Sequence, residues 1–279
     1  LFESIFNKKS YKEVKEDLSG SFEGVGIQLG YKENQLAVMA PLAGTPAQKA
    51  GVKAGDLILK IDDISTIGLS LDEAAKQIRG PKGTIVKLNL LHSGEKETYE
   101  VDLVRETIIV ASVEVDFLAE GEIAHLKLSK FGDRTSEEWE KVVSIIINHQ
   151  PKIKGIILDL RNNPGGYLTG SIFIASEFLS SGTVVQQENA NGTKEIYEVN
   201  RKGKLLTQPL VVLVNEGSAS SSEILAGSLQ DHLRAKILGT KSFGKGTVQE
   251  VQDLENGAGL HITTARWLLP SGQSINKIG

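Results

Sequence analysis

The 279-residue sequence contains no cysteine, which removes disulfides, thiolate nucleophiles and cysteine-ligated metals together. The redox compartment stays open, because a cysteine-free chain can serve on either side of a membrane. The formal charge is only -4, with acidic and basic residues mixed through most of the chain. No basic field exists of the kind a nucleic acid requires, so no nucleic-acid partner is expected. No run approaches the roughly 18 apolar residues of a membrane helix, and the start at Leu1 lacks a signal-peptide pattern. Without an initiating methionine, and with a stop just after a Pro-Ser-Gly turn, the sequence reads as a trimmed piece whose natural anchors or targeting segments are not thereby excluded. His92, His125, His149, His232 and His261 are scattered without metal-ligand spacing, and neither a metal nor another cofactor is expected. Repeats and low-complexity segments are missing as well.

What is present falls into two textures after a short polar start. Residues 1–21, with Phe2, Ile5, Phe6, Tyr11 and Val14 as scattered apolar positions, read as the remnant of a helical region. Residues 22–104 contain short strand-like runs at Gly26–Leu29, Leu36–Ala40, Asp56–Ile61, Ile85–Leu91 and Tyr99–Leu103, punctuated by Gly, Pro and Asp. That pattern predicts a small, mostly β domain. Two helical pieces interrupt it: one opened by Thr45-Pro46-Ala47, another by the capping-box pair Ser70 and Glu73.

Residues 105–279 alternate differently. A strand at Ile123–Leu128 precedes a helix over Ser136–His149, where Trp139, Val142, Val143, Ile146 and Ile147 recur at helical spacing. The apolar runs Gly155–Leu160 and Pro209–Val214 suit strands covered on both faces. Each leads through a glycine-bearing loop to a helix, Leu168–Leu179 and Ser222–Leu229. This is α/β organisation, with loops at the carboxyl ends of strands where sites form. The whole is therefore expected to be a multidomain α/β (α+β) chain.

Three segments could carry chemistry. Asn215–Ile224 follows a buried strand and opens a helix, so a hydroxyl at Ser220 would lie beside unpaired amides that could hold an oxyanion. The same Ser220 with Glu223 also fits an ordinary N-terminal cap. Lys245 lies between Gly244 and Gly246 in an apolar neighbourhood, where desolvation would lower its amine from about 10.4 toward the range of a general base. Gln249 could orient it only if the stretch between them is helical or sharply bent, since four residues of straight strand span about 13 Å. Leu158–Gly166 ends in Asn-Asn-Pro-Gly-Gly, a tight turn that could aim the amides of Gly165 and Gly166 into a cleft. Asp159 and Arg161 read as structural partners at that strand end. Gly239–Lys245 has the spacing of a phosphate-binding loop, but Gly246 stands where a magnesium-ligating hydroxyl belongs, which argues against nucleotide binding.

Taken together these segments resemble the carboxyl-terminal processing peptidases, or tail-specific proteases. Gly217–Ile224 is similar to their G-S/T-A-S-A-S-E-I motif with Ser221 replacing an alanine, Phe243–Gln249 carries F-G-K-G-x-V-Q intact, and Leu158–Gly166 matches L-D-L-R-x-N-P-G-G. Leu260–Ile275 continues the likeness, with Trp267 where an aromatic residue, more often tyrosine, is expected. The resemblance implies Ser220 as nucleophile, Lys245 as general base, Gln249 as third member, and Gly165, Gly166 and Ser221 at the oxyanion. It implies a core similar to the ClpP/crotonase-like fold. Residues 22–104 resemble the family's PDZ module, with Phe22, Gly24, Val25, Gly26 and Ile27 in its carboxylate-binding loop and Gly51–Ile58 matching G-x-x-x-G-D-x-I. The expected substrates are proteins or peptides with exposed, hydrophobic carboxyl ends. An extracytoplasmic setting, periplasmic or cell-envelope, a membrane association through other segments and homo-oligomer formation are further family expectations. The competing reading is a non-catalytic PDZ-type peptide-binding scaffold.

Overall fold

The computed structural model describes residues 4–6, 18–254 and 259–279. The chain divides into two compact units, one formed by residues 1–20 with 111–279 and the other by residues 21–110.

In the smaller unit, β3 (Ile27–Lys32), β4 (Gln35–Pro41), β5 (Leu57–Ile61), β7 (Ile85–Leu91) and β8 (Thr98–Val104) form a sheet in that order, and β6 (Ile64–Ser65) pairs with β5. β2 (Ser21–Gly24) pairs with β9 (Glu106–Ile109) as a separate ribbon. Strand β7 buries alternate residues, Val86, Leu88 and Leu90, as a half-covered strand should. Helices α1 (Pro46–Lys49) and α2 (Leu71–Ile78) complete the unit. The Ser70–Glu73 capping box is formed: Ser70 Oγ accepts from the Glu73 amide while Glu73 Oε2 accepts from the Ser70 amide. At the other end of α2, the buried Arg105 guanidinium donates to the carbonyls of Gln77 and Ile78, satisfying orphan carbonyls where a cation also suits the helix dipole.

The larger unit is built on a mixed sheet with strand order β10 (Val113–Leu118), β11 (Ile123–Leu128), β12 (Gly155–Asp159), β15 (Leu210–Val214), β16 (Lys236–Gly239). Only the β10–β11 pair is antiparallel. Helices α3 (Thr135–Asn148), α4 (Leu168–Phe178) and α5 (Ser221–Asp231) follow β11, β12 and β15. Trp139 of α3 meets Phe178 of α4 edge-on, with ring centroids 5.8 Å apart, at the centre of the core. A second sheet runs β1 (Ser4–Phe6), β18 (Gly259–Leu268), β13 (Thr183–Asn189), β14 (Lys194–Glu198), and β17 (Thr247–Asp253) also pairs with β18. Ser4–Phe6 thus forms a strand where a helical remnant was expected; most of the remaining stretch lies outside the described residues. Among the described residues no helix is long and apolar enough to cross a membrane.

At the end of β12 the buried Asp159 accepts from the Arg161 backbone amide and from Arg161 Nε and Nη2, the last at 2.6 Å, and pairs with His125 Nε2 at 3.1 Å. Burial works to raise its pKa, but the hydrogen bonds from Arg161 and His125 and the charge of Arg161 outweigh burial and hold it at about 2. Because the folded-state value lies below the ordinary 3.8, the resulting stability is present above that value and is lost as pH falls toward 2. Asp159→Asn is therefore expected to destabilise the chain at pH 7 by about 1–2 kcal/mol, reduced because half-exposed Arg161 is solvent-screened. Thermal melts should show the gap from the parent chain closing between about pH 4 and pH 2.

Candidate active site

The adjacent parallel strands β12 and β15 deliver two loops side by side, and these are laced together. Asn215 Oδ1 accepts from the Asn162 amide, Asn215 Nδ2 donates to Asn162 Oδ1, Ser218 Oγ donates to the Leu160 carbonyl, and the Ala219 amide donates to the Asn163 carbonyl. Ser222 Oγ also donates to the Asn163 carbonyl, and Ser221 Oγ to that of Gly166. The lacing holds Ser220 at φ 53 and ψ -115, a conformation that L residues rarely adopt and that persists only where the surroundings over-determine it. Gly165 packs directly against it. A Cβ there would stand 2.9 Å from Ser220 Cβ and 2.8 Å from the Ala219 carbonyl oxygen, so only glycine fits.

The expected oxyanion donors are all beside Ser220's loop, but they are not equally free. The Gly165 amide donates to Asn163 Oδ1 at 2.9 Å. Among the described residues the amides of Gly166 and Ser221 have no such partner, Ser221 being the first residue of α5, where helix geometry leaves its N–H outward.

Glu223 joins the remaining parts. It is buried, and its Oε1 accepts from Ser242 Oγ at 2.7 Å and from the Gly244 amide at 2.6 Å. Its Oε2 accepts from the amides of Ser220 and Lys245, each at 2.9 Å, so the two backbone nitrogens lie within about 6 Å of one another. Residues 242–246 are clamped on their other side. The Lys277 amide donates to the Gly244 carbonyl, the Phe243 amide to that of Ser218, and a Cβ on Gly246 would meet the Asn276 amide nitrogen at 2.5 Å. Burial lowers the Lys245 amine below its ordinary 10.5. This is the direction a neutral base at moderate pH requires.

Gln249 lies in β17, opposite Thr263, so the four residues after Lys245 are not a helical turn; the register shifts by one between Val248 and Gln249. The phosphate-loop spacing fails structurally too. Strand β17 follows Gly246 where a phosphate site needs a helix N-terminus. Sequence reasoning assigned Glu223 to a cap and passed over Ser242, Asn163 and Asn215. The glutamate at the third helical position was visible, but not the three donors arriving from some twenty residues downstream.

In the smaller unit, Phe22, Val25, Gly26 and Ile27 line a groove of 200 Å³ with Leu71, Ala75, Ile78 and Arg79 of the α2 side. Gly24 lies behind it, where a Cβ would approach the Phe22 ring at 3.1 Å, and Arg79 covers that ring at 4.3 Å. The Val25 and Gly26 carbonyls accept from Ala47 and Leu42, while the amides of Val25 and Gly26 donate to no group among the described residues. An apolar slot beside such outward amides suits the carboxylate end of a peptide chain.

Replacing a carboxylate oxygen by an NH₂ group sets donor against donor. Glu223→Gln is therefore expected to lower stability by about 2–4 kcal/mol, read from denaturant titration. Glu223→Asp, which shortens the reach but keeps the charge, should fall between the two.

Residues 122–279 match the profile of peptidase family S41, and residues 38–91 that of a PDZ domain. A carboxyl-terminal-processing protease of Synechocystis sp. is 41% identical over 284 residues, covering 100% of this chain and 66% of that protein. The carboxy-terminal processing protease CtpA of Bacillus subtilis is 35% identical over 279 residues, covering 100% of this chain and 59% of that protein. The solved structure of a photosystem II D1 C-terminal processing protease shares the fold with a TM-score of 0.59 at 31% identity, covering 100% of this chain and 76% of that one. The chain thus spans less than two thirds of the length of the Bacillus relative and about two thirds of the Synechocystis one. With the profile covering the strands, loops and helices that carry Ser220, Glu223 and Lys245, the chain belongs to the carboxyl-terminal-processing peptidases of family S41, with a PDZ domain in its smaller unit.

Proposed function

We propose that this chain is a serine endopeptidase that hydrolyses protein substrates recognised through their carboxyl-terminal tails. The observation that carries the reading is the single Glu223 oxygen that accepts from the backbones of both Ser220 and Lys245, the latter bearing an amine whose pKa burial depresses. Neutral Lys245 takes the proton from Ser220 Oγ as that oxygen attacks the scissile carbonyl, and the amides of Gly166 and Ser221 receive the developing oxyanion. The tetrahedral adduct collapses to a seryl ester, with the Lys245 proton passing to the leaving amine. Water then attacks the ester, giving its proton to Lys245, and Ser220 regains a proton as the new carboxyl end departs. Gln249 is assigned to holding Lys245 or Ser220 in register, and Gly165 to shaping the oxyanion turn rather than donating to it.

Residues 22–104 are assigned as the PDZ domain and 105–279 as the peptidase core. The parallel run β11, β12, β15, β16, with helices after the first three strands, supports a core of the ClpP/crotonase kind. The groove beside α2 is assigned to an apolar carboxyl-terminal tail, which it captures or uses to gate access. An extracytoplasmic setting, membrane association and self-assembly are carried over from the family as proposals of the same kind.

Cleavage of an unfolded protein with a hydrophobic tail tests the chemistry. Ser220→Ala, Lys245→Ala and Lys245→Arg are each expected to reduce kcat/KM by at least about 10³-fold while leaving circular dichroism intact, since an arginine stays protonated at every working pH. The parent profile should rise with pH as Lys245 loses its proton, on a limb centred below 10.5. Equal activity in all four proteins would overturn the mechanism and favour a non-catalytic scaffold. For the groove, Ala75→Trp is expected to weaken binding of a peptide with a free apolar carboxyl end at least about tenfold, as should amidation of that end.

A further inference from the structure

Two charged residues line the groove of the smaller unit, and only one of them is engaged. Arg79 lays its guanidinium over the Phe22 ring at 4.3 Å. Asp72, in the first turn of α2, is exposed on the groove side, and its carboxylate has no hydrogen-bond or ion-pair partner among the described residues. Lys76, one helical turn further along, makes no ion pair with it. The floor between the two charges is apolar, formed by Leu29, Leu71, Ala75 and Ile78.

The direction of α2 fixes where along a bound tail Asp72 stands. At the carboxyl end of α2, Arg79 covers Phe22, and a Cβ on Gly24 would lie 3.7 Å from Arg79 Cγ. At the amino end, Tyr31 Oη donates to the Leu69 carbonyl at 2.9 Å, two residues before the helix begins. The helix therefore runs antiparallel to β3, ending beside the outward amides of Val25 and Gly26 and starting beside Tyr31. Strand β3 is an edge of its sheet, paired with β4 alone, so a peptide can join it as an added antiparallel strand. With its terminal carboxylate on the two amides, such a tail climbs past Ile27 and Leu29 toward Tyr31 at about 3.3 Å per residue. Asp72 lies six helical steps above Ile78, about 9 Å, so it faces about the third or fourth residue from the carboxyl end.

Charge then narrows what that residue can be. An acidic side chain there meets a like charge, and a neutral one leaves the carboxylate as it was. A lysine or arginine places its methylene stem on Leu71 and Leu29 and its charged head at the rim, where the carboxylate stands in water.

Resting on the assignment of this groove to a carboxyl-terminal tail, the geometry points to Asp72 as a specificity residue: it selects a lysine or arginine at the third or fourth position from the end, ahead of an apolar last residue. The tail is then read by two features, an apolar end and a cation shortly before it, and apolar tails with an acidic residue at that position are disfavoured.

Peptides that end in valine with a free carboxylate, carrying Lys, Gln or Glu in turn at each of the second to fifth positions from the end, test the selection. Their dissociation constants are measured by fluorescence anisotropy on the Ser220→Ala chain, where no turnover interferes. The third or fourth position is expected to rank Lys over Gln over Glu, with Lys about tenfold tighter than Glu at about 0.01 M salt and less than about twofold tighter at about 1 M. Asp72→Asn should level that ranking and Asp72→Lys reverse it. The reversal is a gain of binding for the Glu peptide, which a damaged fold could not produce. A ranking absent from both positions, or one that survives Asp72→Asn, overturns the selection. Amidated versions of the same peptides separate the two readings. If amidation weakens every peptide at least about tenfold while the ranking is flat, the groove stands and the role of Asp72 falls. If amidation changes nothing, the groove's assignment to a carboxyl end falls, whatever the ranking.

Discussion

A buried carboxylate with four donors is the constraint on which the larger unit's site depends. Taking Glu223 out of water is costly unless its acceptor capacity is filled, and ionised carboxylates offer about four such positions. The amides of Ser220, Gly244 and Lys245 and the Ser242 hydroxyl fill them. Each donor comes from a backbone or a short side chain, so the geometry cannot slacken without leaving charge uncompensated. The turn bearing Ser220 and the loop bearing Lys245 are therefore positioned through main-chain atoms, so this anchoring does not compete with the roles proposed for their side chains.

That arrangement is possible because the sheet is parallel at this point. Strands β12 and β15 end together, so their loops meet at the same edge and can exchange hydrogen bonds through Asn162, Asn163 and Asn215. The close approach of Gly165 to Ser220 then excludes any side chain, and the left-handed backbone of Ser220 is held by neighbours on both sides. The proline and two glycines of residues 164–166 serve packing first: the Gly165 amide is engaged by Asn163, while that of Gly166 has no partner among the described residues.

Much of this was legible in the sequence, for identifiable reasons. Buried strands such as Ile156–Leu158 and Val211–Leu213 announce themselves by continuous apolar runs, and α3 by its 3.6-residue period. The residues proposed for catalysis stood out because each sits where glycine or a helix start frees the backbone. The second sheet was poorly legible. Its strands carry Gln186, Gln187, Glu188, Lys194 and Glu195, whose polarity suits exposed edges and reads as loop. The Ser220–Glu223 capping box expected from the sequence does form, but the further donors to Glu223, from Ser242, Gly244 and Lys245, were hidden because nothing local announces them.

Strand β1 pairs with β18, so residues 4–6 and 259–261 share one sheet while the whole smaller unit is threaded between β1 and the rest of its own unit. During synthesis the two halves therefore mature on different schedules. Residues 21–110 form a contiguous unit that can close as soon as they emerge, whereas the larger unit depends on pairings spanning most of the chain, the slowest kind to form. The loop bearing Lys245 also waits for Lys277, whose amide holds Gly244 in place. A nascent chain consequently completes residues 21–110 well before the site that joins Ser220, Glu223 and Lys245, which closes only when the last strands have been made.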